Sequence, residues 1–176
     1  DNRVLTEYTG TKTRIHPHLT VSKMPVVGVG DGVFKDSQTI EYFSVAHNDE
    51  FTTIGSETFM NSSLKNVDLF DSVTTIGARA FSGCAQLEEL TIPDSVTEIG
   101  ADAFANTSLT TANLTDVTKI GADAFVNTAL TTADLTGVME IGEGAFENAA
   151  LEAVRLNANA SVGERAFANT KLTQLV

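Results

Sequence analysis

A pattern that returns every 21 to 25 residues constrains this chain more than any other feature. Aligning each Ile-Gly or Val-Gly pair that opens a unit gives anchors at Val29, Ile54, Ile76, Ile99, Ile120, Ile141 and Val162, spaced 25, 22, 23, 21, 21 and 21 residues apart. One such unit cannot bury its apolar face alone. The period therefore predicts a solenoid in which neighbouring coils complete one continuous core.

Each column of the unit has a physical role. After the Ile-Gly comes x-x-Ala-Phe, at Ala80-Phe81, Ala103-Phe104, Ala124-Phe125, Ala145-Phe146 and Ala166-Phe167, with Thr58-Phe59 and Val33-Phe34 as looser copies. The Phe is expected to fill the space between coils, and the Ala to let the next backbone approach. The glycines Gly55, Gly77, Gly100, Gly121, Gly142 and Gly163 mark a permissive turn or a close approach. Acids at Glu57, Asp102, Asp123, Glu143 and Glu164 suit the first turn of a short helix, and Arg79 departs from that rule. Two residues past the Phe stand Asp36, Asn61, Gly83, Asn106, Asn127, Asn148 and Asn169, the types that tolerate positive φ, so this column reads as a left-handed helix stop. A ligand-binding asparagine ladder is the weaker reading, because Gly83 has no side chain to offer.

The unit continues as Leu-x-x-apolar-x-apolar: Leu64/Val67/Leu69, Leu87/Leu90/Ile92, Leu109/Ala112/Leu114, Leu130/Ala133/Leu135 and Leu151/Val154/Leu156. Its last positions alternate with polar residues, the signature of a half-buried strand. One strand per coil, all running the same way, predicts a parallel sheet. Its outward side chains are Tyr42 and Ser44, Asn66 and Asp68, Glu89 and Thr91, Thr111 and Asn113, Thr132 and Asp134, then Ala153 and Arg155, ending at Gln174. Apart from Ala153 and Gln174, these are the candidate partner-binding residues, with Tyr42 and Arg155 as the anchor types.

The column pattern resembles the BspA-like leucine-rich repeats of bacterial cell-surface proteins. The unit from Ile76 to Glu98, IGARAFSGCAQLEELTIPDSVTE, carries the resemblance in Cys84, Leu87, Leu90, Ile92, Pro93 and Val96, and it extends over residues 27–176. Most other units lack the Cys and the Pro. The resemblance implies a right-handed solenoid, secreted or on the outside of a bacterial cell, binding host or microbial macromolecules. The expected domain plan is an irregular cap or degenerate first coil over residues 1–26, then about seven coils over residues 27–176, the last truncated.

With 23 acidic against 11 basic residues the net charge is -12. That field repels phosphate backbones and anionic lipid, which argues against nucleic-acid binding and is compatible with divalent cations or basic partners. No apolar run is long enough for a membrane span. No leader is legible from Asp1 onward, which leaves a cytosolic protein or one whose leader has been removed. The single Cys84 occupies a repeat column and reads as a buried structural thiol. The final unit stops inside its strand at Leu175-Val176, so its open coil is expected to meet further chain or another copy.

The irregular first third carries the chain's three histidines and its glycine cluster. His16 and His18 lie on one side of a possible strand but lack a third metal ligand. Gly28, Gly30 and Gly32 lack the Lys and Ser or Thr of a phosphate loop and fit the coil's own turn. The longest unit predicts a bulged loop at residues 46–50, a second contact candidate. The near-identical units IGADAFANTSLTTANLTDVTK and IGADAFVNTALTTADLTGVME argue for uniform stacking and against a catalytic centre, which needs unlike groups converging. Asn61-Ser62-Ser63, Asn106-Thr107-Ser108 and Asn113-Leu114-Thr115 match a glycan acceptor pattern that a Thr- and Asn-rich repeat produces by chance. The expectation is a non-enzymatic module, with no cofactor and no metal, that binds a protein or glycan. The alternatives are a passive spacer and a cytosolic interaction scaffold.

Overall fold

The computed structural model describes residues 4–8, 13–15, 20–21, 24–44 and 50–175. The chain winds as a parallel β-solenoid in which the Ile of each Ile-Gly pair ends a two-residue strand. Val4–Leu5, Gly28–Val29, Thr53–Ile54, Thr75–Ile76, Glu98–Ile99, Lys119–Ile120, Glu140–Ile141 and Ser161–Val162 form one eight-stranded sheet. Every pairing in it is parallel and in register, Ile54 against Ile76 and Ile99 against Ile120.

The expected outward-facing strands form a second face, in two ladders. Glu89–Leu90, Asn66–Asp68, Tyr42–Ser44 and Arg14–Ile15 make a four-stranded sheet, and Thr132–Leu135, Ala153–Leu156 and Gln174–Leu175 a three-stranded one. The coil between them joins the first ladder through a single bridge, Glu89 to Thr111. One strand per coil is therefore corrected to two. The second was hidden because two residues are too few to show alternation, although each still pairs with its neighbours in the sheet.

Among the described residues there is no helix, and the expected helical turn at x-x-Ala-Phe is corrected to a left-handed turn that bonds outward to its neighbour. The residue two before each Phe has positive φ, from 54° at Asp123 to 65° at Gly32, with Glu57, Arg79, Asp102, Gly144 and Arg165 between. The Asn column two residues after the Phe is left-handed as well, from 55° at Asn61 to 73° at Gly83. Between these reversals the Phe amide points along the solenoid axis: Phe59, Phe81 and Phe104 donate to the carbonyls of Ala80, Ala103 and Ala124 in the next coil, all at 2.8 Å. A helix would have kept those bonds within one coil. The acid column also dissolves: Glu57, Asp102 and Asp123 are left-handed, whereas Glu143 and Glu164 stand one position earlier.

The rings of Phe34, Phe59, Phe81, Phe104, Phe125, Phe146 and Phe167 pile into one interior file. Consecutive centroids lie 5.2 to 5.4 Å apart, with interplanar angles of 3° to 13°. Tyr8 meets Phe34 at one end, tilted by 52°. Around the file pack the inward Leu, Val and Ile of both faces, including Leu64, Leu87, Leu109, Leu130 and Leu151 at 0% exposure. The glycine after each Ile is there for space. A Cβ on Gly121 would sit 2.5 Å from the Ala101 nitrogen of the preceding coil, well inside contact distance.

Candidate functional site

Alternation in the four- and three-stranded ladders turns Val67, Leu90, Ala133 and Val154 into the core and sends their neighbours outward. Register aligns the outward residues into rows across the strands. Arg14, Tyr42, Asn66, Glu89 and Thr111 share one row; Ser44 lies beside Asp68, Thr132 beside Ala153, and Asp134 beside Arg155. Sequence reasoning thus placed the candidate residues on one side of the solenoid, although the ladder break separates Tyr42 to Asn113 from Thr132 to Arg155.

Several of these side chains already have partners within the chain. The Tyr42 hydroxyl donates to Asp68 Oδ2, and Arg14 lies 5.4 Å from the Tyr42 ring centroid. That bond to Asp68 holds the phenol proton and raises the Tyr42 pKa above its ordinary value. Asn113 Nδ2 donates to Asp94 Oδ1 at 2.9 Å, while Asn113 Oδ1 accepts from the Thr115 hydroxyl at 2.7 Å. Asp134 Oδ1 accepts from the Thr136 hydroxyl at 2.7 Å and its other oxygen lies 3.8 Å from Arg155. The Thr136 hydroxyl is the main cause of the lowered Asp134 pKa. Both expected anchors, Tyr42 and Arg155, are held by acids of the adjacent coil.

Two adjoining depressions open on the first ladder. The larger, about 530 Å³, is lined by Lys65, Asn66, Ala85, Gln86, Glu88 and Glu89. The smaller, about 220 Å³, is lined by Asn66, Asp68, Glu89, Leu90, Thr91 and Thr111. Asn66 and Glu89 belong to both, so five of the sequence-selected residues converge on one concavity. Gln86 and Glu88 were not selected. Gln86 is one of two residues, Ala85 and Gln86, that precede Leu87 in the longer unit, and that extra length was the signal for a local change of surface.

The remaining candidates are structural or lie elsewhere. Cys84 is fully buried and its thiol donates to the Phe59 carbonyl at 3.0 Å; burial raises its pKa, which keeps it a thiol. His16, His18 and His47, and all of the bulged loop except Glu50, lie outside the described residues. Among the described residues no group of three or more His, Cys, Asp or Glu could hold a metal ion, and no helix is long and apolar enough to cross a membrane. The asparagine column forms side-chain bonds along the axis, Asn127 to Asn106 at 2.8 Å and Asn169 to Asn148 at 2.9 Å.

Comparison with known proteins gives the same architecture. The chain is similar over 91% of its length to a leucine-rich repeat protein of T. pallidum, at 27% identity and a TM-score of 0.81, covering 76% of that chain. It is similar over 98% of its length to a leucine-rich repeat protein of Bacteroides ovatus, at 25% identity and a TM-score of 0.80, covering 45% of that chain. A leucine rich cell surface protein of Faecalibacterium prausnitzii matches 97% of the chain at 26% identity and a TM-score of 0.57, with 50% of that protein covered. The chain thus spans about half the length of the last two. No curated protein is significantly similar in sequence. The model of the BspA type leucine rich repeat region matches in six copies, over residues 19–131 and 52–174, and the chain belongs to that family.

Proposed function

We propose that this chain is a non-catalytic binding module of a bacterial cell-surface or secreted protein, that it holds a protein or glycan ligand on the face carrying Tyr42 to Arg155, and that it serves adhesion. The observation that carries this reading is the concavity around Asn66 and Glu89, which opens on the outward sheet face. Curved repeat arrays offer such faces as extended contact surfaces. Membership of a repeat family whose folds act as interaction modules supports binding, and the similarity to a cell surface protein supports the location.

The test is a protein and glycan array probed with the chain and two variants. Asn66→Ala/Glu89→Ala/Thr111→Ala alters the proposed face, and Thr53→Ala/Thr75→Ala alters the opposite sheet. The reading expects ligands whose capture is lost only with the first variant. Capture lost only with the second would place the contact on the wrong side. The spacer reading is favoured by the near-identical units of residues 99–119 and 120–140, whose outward side chains are short. It expects no capture at all.

A further inference from the structure

The outward face divides into side chains that have found partners within the chain and side chains that have not. Tyr42, Asp68, Asn113, Asp134 and Arg155 belong to the first group. Asn66, Gln86, Glu88, Glu89, Thr91 and Thr111 belong to the second: among the described residues their side chains make no hydrogen bond or ion pair, and they gather at the two adjoining depressions. Charge divides the same way. Six bases, Lys35, Lys65, Arg79, Lys119, Arg155 and Arg165, are held by Glu57, Glu41, Glu57, Glu140, Asp134 and Glu147. Among the described residues Lys65 is the one base lining the concavity, and its ammonium lies 3.0 Å from Glu41 rather than turning to Glu88 or Glu89.

We infer that this concavity docks an extended segment of a protein partner bearing arginine or lysine, an inference that rests on the face being the contact surface. The primary amides of Asn66 and Gln86 each offer donors and an acceptor, the complement of a peptide unit. The carboxylates of Glu88 and Glu89 supply acceptors for a guanidinium, which binds such groups in forked pairs. Asn66, Glu89 and Thr111 stand in register on three successive coils. Strands lie about 4.8 Å apart, so the row spans about 10 Å, the reach of roughly three extended residues laid across the ladder. The -12 net charge draws a cationic segment in and keeps acidic peptides and nucleic acid out. A neutral glycan would use the amides and hydroxyls but leave two carboxylates without a cation, so it is the disfavoured occupant.

The test titrates three probes into the intact chain, followed by backbone amide NMR shifts and calorimetry: a nine-residue peptide of alternating Arg and Ser, its Glu/Ser counterpart, and a neutral heptasaccharide. The Arg peptide is expected to bind, to shift the amides of Asn66, Glu89 and Thr111, and to weaken steeply with added salt. Glu88→Gln/Glu89→Gln is expected to weaken it at least tenfold. Glu143→Gln/Glu164→Gln, the same charge change on the exposed turn surface, is expected to change it less than twofold. Equal losses in the two variants would reduce the effect to diffuse net charge and overturn the inference. So would a silent Arg peptide, or a heptasaccharide that alone shifts these amides. If the Arg peptide fails while array ligands still depend on Asn66, Glu89 and Thr111, only this inference falls; if no ligand depends on them, the broader reading falls too.

Discussion

Replacing Phe125 by Ala removes a ring from the middle of the interior file, and the cost follows from its surroundings. Phe125 is fully buried, with Phe104 and Phe146 each 5.2 Å away in near-parallel stacks. Truncating a buried Phe costs about 3–5 kcal/mol, and aromatic pairs add about 0.5–1.5 kcal/mol each beyond area, so the upper half of that range is expected. Phe167 ends the file. It is half-buried and has one stacked neighbour, Phe146, at 5.4 Å, so its truncation should cost less than half as much. A domain's whole stability is about 5–15 kcal/mol, which makes the first substitution a large fraction of it. Urea unfolding followed by circular dichroism measures both. In a one-dimensional array the Phe125 variant should also lower the m-value, because the coils on either side lose their coupling. Equal costs for the two variants, or a Phe125→Ala cost below about 2 kcal/mol, would refute the reasoning that a continuous aromatic file holds the coils together.

Gly121→Ala pushes a methyl against the Ala101 nitrogen, so thermal melting should show a loss of about 1–3 kcal/mol, the usual cost of overpacking. Asn127, at φ 57°, should accept Gly with a loss limited to its bond to Asn106, whereas Val should cost at least about 1 kcal/mol more by chemical denaturation; the reverse order would contradict the left-handed backbone. Asp102 has a pKa raised by burial and then by Asp123. Folding therefore favours its protonated form, a stabilisation present below the unfolded pKa and lost as pH rises through the folded one. Asp102→Asn, which also suits φ 55°, should raise the melting temperature at pH 7 and lose most of that advantage toward pH 3; an advantage independent of pH would leave only the backbone effect. Glu57 behaves oppositely: its pKa is lowered mainly by the Lys35 ammonium, so whatever that contact contributes is lost as pH falls through the folded value.

The Phe file, the left-handed Asn column and the inward Leu, Val and Ile were legible because each repeats in a fixed column, and repetition turns weak preferences into a pattern. The helical turn was misread for a reason visible in the same columns. Alanine beside an acid suggests a helix start, but Gly32 and Gly144 share the column of Glu57, Arg79, Asp102, Asp123 and Arg165, and two glycines there were the sign of positive φ. Tertiary stacking then overrides helix propensity, because alternate turn amides, such as those of Glu57, Phe59 and Asn61, gain their partners from the next coil. The concavity around Asn66 and Glu89 was legible only as a row of outward residues. Which of them stay unpartnered depends on reach between coils, as Asp68 accepts from Tyr42 and Asp134 meets Arg155, and that follows from register.

Ring-to-ring nuclear Overhauser contacts among the phenylalanines test the stacked-coil account most directly. Phe81 to Phe104, Phe104 to Phe125 and Phe125 to Phe146 should each give strong contacts, while Phe81 to Phe125, two coils apart, should give none. Missing neighbour contacts, or contacts that skip a coil, would contradict it.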